Sequence, residues 1–251
     1  MLKALSKAHR PLAELKGRAS AIPNQGILIN TLALQEAKAS SEIENIVTTQ
    51  DELFQADFLP NGRASPNAKE VALYRDAITL GFEDLRRNDG IMRNVALVGM
   101  FRLLKNRNDG FRVLPGTALL NDKTGETVYV PPQDAANVTK HMTNLEAFIN
   151  DGRLSDLDPL MKMAIIHHQF ESIHPFPDGS GRIGRIMNVL YLTQTELLDI
   201  PILYLSRHIT QTKHEYYNLL QAVRDNTLEV SHRCAMFDHH APWEAGAARG
   251  V

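Results

Sequence analysis

Apolar residues recur at helical spacing through most of the chain, as in Leu28, Leu32, Leu34 and Ala37 and again in Val95, Val98, Phe101 and Leu104. That period puts one apolar stripe on each helix. The same pattern, with glycine and proline between segments, predicts helices over 67–88, 136–149, 159–171, 182–197 and 210–225, and a helical run from near Ile29 through Ser40. One segment departs from it. Leu119-Leu120 and Thr127-Val128-Tyr129-Val130 are β-rich runs separated by the turn residues 121–126, which predicts a hairpin. A lone hairpin is marginal by itself. It is either an ornament on a helical bundle or an edge on which an extended peptide docks. The expected fold is therefore all-α, mainly helical, with one small β-hairpin. With no repeat and no low-complexity linker, the segments read as an N-terminal region (1–60), a core (61–226) and an atypical tail (227–251) within one compact domain.

Charge and cysteine content narrow the function classes. Lys plus Arg total 27 against 29 for Asp plus Glu, a net charge of −2, so the basic footprint of a dedicated nucleic-acid binder is missing. Cys234 is the single cysteine, which excludes an internal disulfide framework and a multi-cysteine zinc site and suits a reducing compartment. The N-terminal segment is charged every few residues and has no apolar run of a secretory signal. No stretch is apolar for long enough to span a bilayer. A cytoplasmic location is expected, with neither membrane nor nucleic acid as partner.

The chemistry concentrates in His174-Pro175-Phe176-Pro177-Asp178-Gly179-Ser180-Gly181-Arg182-Ile183-Gly184-Arg185. Pro175 disfavours the helical conformation at His174, so the preceding helix ends there and leaves the imidazole in a loop. Gly179 and Gly181 around Ser180 let backbone N–H groups converge at the start of the next helix, a physical anion site. Arg182 and Arg185 share a face of its first turn and add two guanidinium forks. Cations there oppose the helix dipole, so they make best sense with an anion between them, and a triphosphate fits. Asp178 supplies a hard oxygen for Mg²⁺, which is commonly held by one or two carboxylates plus phosphates and waters. His174 is the group with a pKa suited to taking a proton from a hydroxyl. The plainer alternative is a glycine-rich loop with solvated Asp and Arg. No phosphate-binding P-loop is present, and HHQFESIH lacks the HExxH pattern of zinc proteases, so His167 and His168 read as structural.

Ser40 and Glu44 lie on one helical face, whereas Glu42 and Glu44 are about 200° apart, so only one of the two glutamates can point at a given partner. By spacing alone, Glu44 is a solvated residue on an amphipathic helix. Tyr216 and Tyr217 could stack on a base or pack in a core.

At these residues the sequence resembles the Fic-domain proteins, whose signature is His-x-Phe-x-Asp/Glu-Gly-Asn-Gly-Arg-x-x-Arg. Ser180 stands where that signature has Asn. The resemblance extends to LAELKG, to the Ser-Ser-x-Ile-Glu segment, to TGETVYVPP and to Tyr216-Tyr217, and covers roughly residues 10–226. It implies a protein adenylyltransferase that moves AMP from ATP, with Mg²⁺, to Ser, Thr or Tyr hydroxyls of a target protein or of itself. His174 would be the general base and Asp178 the metal ligand. Gly179, Ser180 and Gly181 would form the anion hole, Arg182 and Arg185 would grip the polyphosphate, and Tyr216 and Tyr217 would line the adenine pocket. The hairpin Thr127, Val128, Tyr129 and Val130 would be the flap that aligns the target. Ser40-x-x-x-Glu44-Asn45 resembles the family's inhibitory motif, in which Glu44 would pair with Arg185 and block the productive ATP pose. A homodimer is implied by the resemblance alone. Ser180 leaves open a weaker enzyme, another donor, removal of AMP, or a non-catalytic nucleotide-binding or toxin–antitoxin-like module.

Overall fold

The computed structural model describes residues 2–53, 65–121 and 124–225. The tail 227–251, with Cys234, lies outside the described residues, as do the 60/61 boundary and two turn residues of the hairpin. In chain order the elements are α1 (Leu2–Ser20), α2 (Gln25–Ile43), α3 (Pro66–Arg87), α4 (Asn94–Lys105), β1 (Leu119–Leu120) and β2 (Thr127–Tyr129). They continue with α5 (Ala135–Asn150), α6 (Pro159–Ile173), α7 (Ser180–Gln194), α8 (Ser206–Gln211) and α9 (Lys213–Arg224). The expected mainly helical fold with one hairpin is present. No helix among the described residues is long and apolar enough to cross a membrane.

Local chemistry starts and stops these helices. Asn24 caps α2 by accepting from the Ile27 N–H, and Ser65, followed by Pro66 in the first turn, caps α3 by accepting from Ala68. Asp134 and Asp158 do the same for α5 and α6. Two predicted helices differ from the structure. The one expected to run to 197 ends at Gln194, because Glu196 takes a left-handed conformation (φ 58°) and the Leu198 N–H turns back to the Leu192 carbonyl. The one expected over 210–225 is two helices, interrupted at Thr212 (φ −117°, ψ 29°).

The chain forms two compact units. The first comprises Met1–Asn108 and Gly181–Gln211; the second comprises Asp109–Ser180 and the described residues from Thr212 onward. In the first, α2 packs on α3 and α8, and α3 packs on α4. Its core includes Ala33 and Ala37 of α2, Val71, Tyr74 and Ile78 of α3, Leu97, Met100 and Phe101 of α4, and Ile186 and Leu190 of α7. Each fully buried large aliphatic side chain is worth about 1.5–3 kcal/mol relative to exposure. Gly81 permits close approach here: a Cβ at that position would lie 2.5 Å from both Leu190 Cδ1 and Met100 Sδ. The charged α1, which the apolar pattern does not predict as a helix, docks Ala19 and Leu15 against Ile200, Ile202, Leu28 and Ile29.

In the second unit α5 packs on α6, burying Val138, Met142, Leu145 and Phe148 with Ile165, Ile166 and Phe170. The hairpin pairs Leu119 with Tyr129 and Leu120 with Thr127 in antiparallel register, with an irregularity between the two pairs.

Candidate functional site

The helix α6 ends at His174, whose N–H bonds the Phe170 carbonyl and whose backbone is left-handed (φ 47°, ψ 62°). The imidazole leaves the helix as Pro175 predicts, and it is half-buried. Arg112, 6% exposed, braces this corner from inside the same unit. Its Nε donates to the His174 carbonyl at 2.8 Å, its Nη2 donates to the carbonyls of Pro132 and Ile173, and its backbone N–H reaches Pro175. Phe176 is fully buried against Phe111 and Phe170. The loop then turns through exposed Asp178 and buried Gly179, where a positive φ of 78° suits glycine.

Ser180 closes that loop. Its hydroxyl accepts from the Phe176 N–H at 3.1 Å and donates to the Phe176 carbonyl at 3.2 Å, and it is buried. The side chain thus serves the loop's own backbone, and any anion contact at this position falls to the main-chain N–H.

Gly181, Arg182 and Arg185 belong to the first unit, where α2 and α3 reach them. Arg185 is 1% exposed and is gripped by the C-terminal end of α2: Nε donates to Ser40 Oγ at 2.7 Å, and Nη2 donates to the Ser40 carbonyl at 3.0 Å and to Glu44 Oε1 at 2.7 Å. Glu42, two residues earlier than Glu44, is exposed. The opposed directions expected for the two glutamates are those observed. The Glu44 carboxylate also lies over Gly181, since a Cβ there would meet Glu44 Oε1 at 2.5 Å. A carboxylate held at a helix N-terminus and on an arginine occupies ground suited to a phosphate oxygen. Arg182, also 1% exposed, donates to Glu70 Oε1 of α3 at 2.6 Å, and the same oxygen accepts from Lys105 Nζ at 2.6 Å. Burial alone would raise the Glu70 carboxyl, but the hydrogen bonds from Lys105 and Arg182 outweigh it and hold it below the usual range. One helical turn further back from Ser40, Glu36 is buried, accepting from the Ser206 N–H and hydroxyl; burial pushes its carboxyl up against the opposing pull of Ser206 and of the Arg185 charge.

Residues 2–83 match the Fic/DOC family N-terminal domain and residues 88–192 the Fic/DOC family domain, together most of the chain. The chain belongs to the Fic/DOC family. A probable protein adenylyltransferase of Aquifex aeolicus is 41% identical over 74 residues, 30% of this chain and 21% of that protein. The protein adenylyltransferase fic-1 of Caenorhabditis elegans is 28% identical over 88 residues, 34% of this chain and 16% of its own length. The matched segment thus spans about a fifth of the curated relatives. Among solved structures, a Fic family protein from Desulfovibrio desulfuricans superposes with a TM-score of 0.69 at 22% identity, covering 89% of this chain and 67% of that one. Fic-1 from C. elegans superposes with a TM-score of 0.65 at 18% identity, covering 88% and 64%. These likenesses establish a Fic fold.

Within this Fic/DOC chain the remaining sequence candidates lie in the second unit. Tyr216 OH bonds His167 Nε2 at 2.7 Å, and Tyr217, 44% exposed, meets Tyr216 edge-on at a centroid distance of 5.1 Å. Thr127, Val128 and Tyr129 form β2, and Val130 lies just beyond it, exposed. Arg224 of α9 stacks over the Tyr129 ring at 4.4 Å, and Gln221 donates to the Val128 carbonyl, so α9 holds the hairpin. Burial, reinforced by the Arg224 charge, pushes His168 down to about 4 despite its hydrogen bond with the Leu220 backbone. No cluster of three or more metal-ligating side chains occurs among the described residues. Asp178 offers a single exposed carboxylate, a donor set that fits Mg²⁺ only when phosphate oxygens and waters complete the shell.

Sequence reasoning did not single out Glu70, Lys105, Glu36 or Arg112. None has a local signature, because each acts on a partner distant in sequence.

Proposed function

We propose that the chain is an autoinhibited protein adenylyltransferase that transfers AMP from ATP to a Ser, Thr or Tyr hydroxyl of a target protein. The observation that carries this reading is the Glu44 carboxylate, lying over Gly181 and on Arg185 as an internal anion where a phosphate would bind. The Aquifex aeolicus and C. elegans relatives, a probable protein adenylyltransferase and a protein adenylyltransferase, agree with it.

In this reading the target hydroxyl attacks the α-phosphorus, an O–P bond forms, the bond to the departing pyrophosphate breaks, and the hydroxyl proton passes to the His174 imidazole. Backbone N–H groups at 179–181 and the two arginines compensate the phosphate charge, so catalysis is mostly positioning and electrostatics. Asp178 would hold Mg²⁺, which supplies charge neutralisation at the phosphates. The hairpin aligns the target main chain by strand pairing, which leaves target sequence loosely specified. Glu44 withdraws Arg185 from the triphosphate and keeps the enzyme low in activity. A homodimer and a cytoplasmic setting belong to the same reading and rest on the resemblance and the single cysteine.

Incubating the Glu44→Gly protein with Mg²⁺, α-labelled ATP and a cell lysate tests it. Labelled protein that excess unlabelled ATP abolishes, and that GTP, UTP or CDP-choline leaves in place, is expected. Label that one of those other donors displaces, or ATP binding without any label, contradicts it.

A further inference from the structure

Both arginines of the motif are clasped by carboxylates at almost the same distance, yet the two carboxylates are anchored differently. Glu44 sits at the C-cap of α2, where the chain turns into Asn45 at φ 61°, and its side chain is 31% exposed. Glu70 projects from within α3, and its Oε1 is shared by Arg182 and Lys105. Withdrawing it would leave two cations, one of them 1% exposed, without that counter-charge. The elements carrying these groups are α3, α4 and α7, which meet around Gly81, Met100 and Leu190 with no room for a Cβ.

We propose that Glu70 is a positioning residue for nucleotide binding: it fixes the guanidinium of Arg182 so that its fork faces the polyphosphate, and is not a second inhibitory carboxylate. This rests on the reading of Arg182 as a polyphosphate ligand. Arg182 donates to Glu70 through Nη1, which sets the plane of a rigid five-donor fork. Lys105 donates to the same Glu70 oxygen and, with Arg182, holds the carboxyl below its ordinary range.

Calorimetric titration of ATP and of AMP into Glu44→Gly and into Glu44→Gly with Glu70→Gln, in Mg²⁺ buffer below both melting temperatures, tests this. The expected result is an ATP dissociation constant raised about 10-fold, the loss of one charge-assisted contact, with AMP changed less than about 2-fold. Turnover in the same pair should show KM for ATP rising while kcat stays within about 2-fold. An unfolded fraction lowers the number of sites and leaves the dissociation constant of the remaining protein alone, so misfolding cannot imitate the effect. Should Glu70→Gln not fold, Glu70→Asp, which keeps the charge and shortens the reach, is titrated in its place with the same ATP-selective loss expected. Equal losses for ATP and AMP, or tighter ATP binding, overturn the proposal in either variant. Transfer does not enter the binding readout: a parent that binds ATP and labels nothing refutes adenylyl transfer alone, whereas a parent that does not bind ATP overturns both.

Discussion

The end of α2 and the body of α3 present the same functional group, at 2.7 and 2.6 Å, to two arginines on one turn of α7. What separates them is how each carboxylate is held. Glu44 ends a helix and shares Arg185 with the Ser40 hydroxyl and carbonyl, so Arg185 keeps two partners if Glu44 leaves. Glu70, its side chain 23% exposed, is held between two cations carried by α4 and α7, helices that pack with its own around Gly81. Both guanidinium groups are equally buried, so the contrast lies in what stays behind: the Ser40 hydroxyl and carbonyl remain on Arg185 when Glu44 leaves, which suits a regulatory contact, whereas Glu70 serves two cations at once, which suits positioning. Distance and charge alone do not distinguish the two roles; anchoring does.

Substitutions at and around the two clasps should differ widely in effect. The largest effect is expected at His174, to which the proposed function assigns the proton transfer and neither clasp. His174→Ala in the Glu44→Gly background should reduce transfer by roughly 10²–10⁴-fold, the usual worth of a general base, with ATP affinity held within about 2-fold. Loss of ATP affinity in the same titration would erase the division between binding and chemistry. Next is Glu44→Gly alone. Removing a charge-assisted competitor from Arg185 should raise the initial transfer rate by roughly 10–100-fold, opposite in direction to the effect of Glu70→Gln.

Gly81→Ala addresses the frame that fixes Glu70. Its Cβ would press on Leu190 and Met100, and urea denaturation should show a destabilisation of about 1–3 kcal/mol, softened by the flexibility of both side chains. The smallest effect concerns Glu36, and it depends on pH. Burial raises this carboxyl above its ordinary value of 4.5, so its contribution to stability is full below about 4.5 and is lost as pH rises through the raised folded value. Glu36→Gln removes that ionisation while keeping an acceptor for Ser206. The melting temperature of the variant relative to the parent should therefore climb across the range upward from pH 4.5, and a flat difference would show that Glu36 does not titrate as burial dictates.

Most helices were legible because apolar spacing and the glycines and prolines between segments are local signals; the structure then shows Ser65, Asp134 and Asp158 capping three of those helices. The overshoot to 197 and the single helix over 210–225 arose where apolar periodicity continued past a backbone break, at Glu196 and Thr212, that no glycine or proline announces. The candidate site divides the same way. His174 to Arg185 is one continuous stretch, and the Ser40 and Glu44 spacing shows which glutamate shares a face with Ser40. Glu70, Glu36 and Arg112 meet partners 112, 170 and 62 positions away, separations at which only the folded core decides who is adjacent. The turn of the Ser180 hydroxyl back onto Phe176 belongs to this second class despite its short separation, because the loop geometry set by Phe176 burial and Gly179 decides it.

The most direct test of the account is transfer of label from α-labelled ATP with Mg²⁺, measured side by side for the parent, Glu44→Gly, and Glu44→Gly with His174→Ala. Weak labelling of protein by the parent, a strong rise with Glu44→Gly, and disappearance with the added His174→Ala are expected. Equal labelling by parent and Glu44→Gly, or labelling that survives His174→Ala, would contradict it.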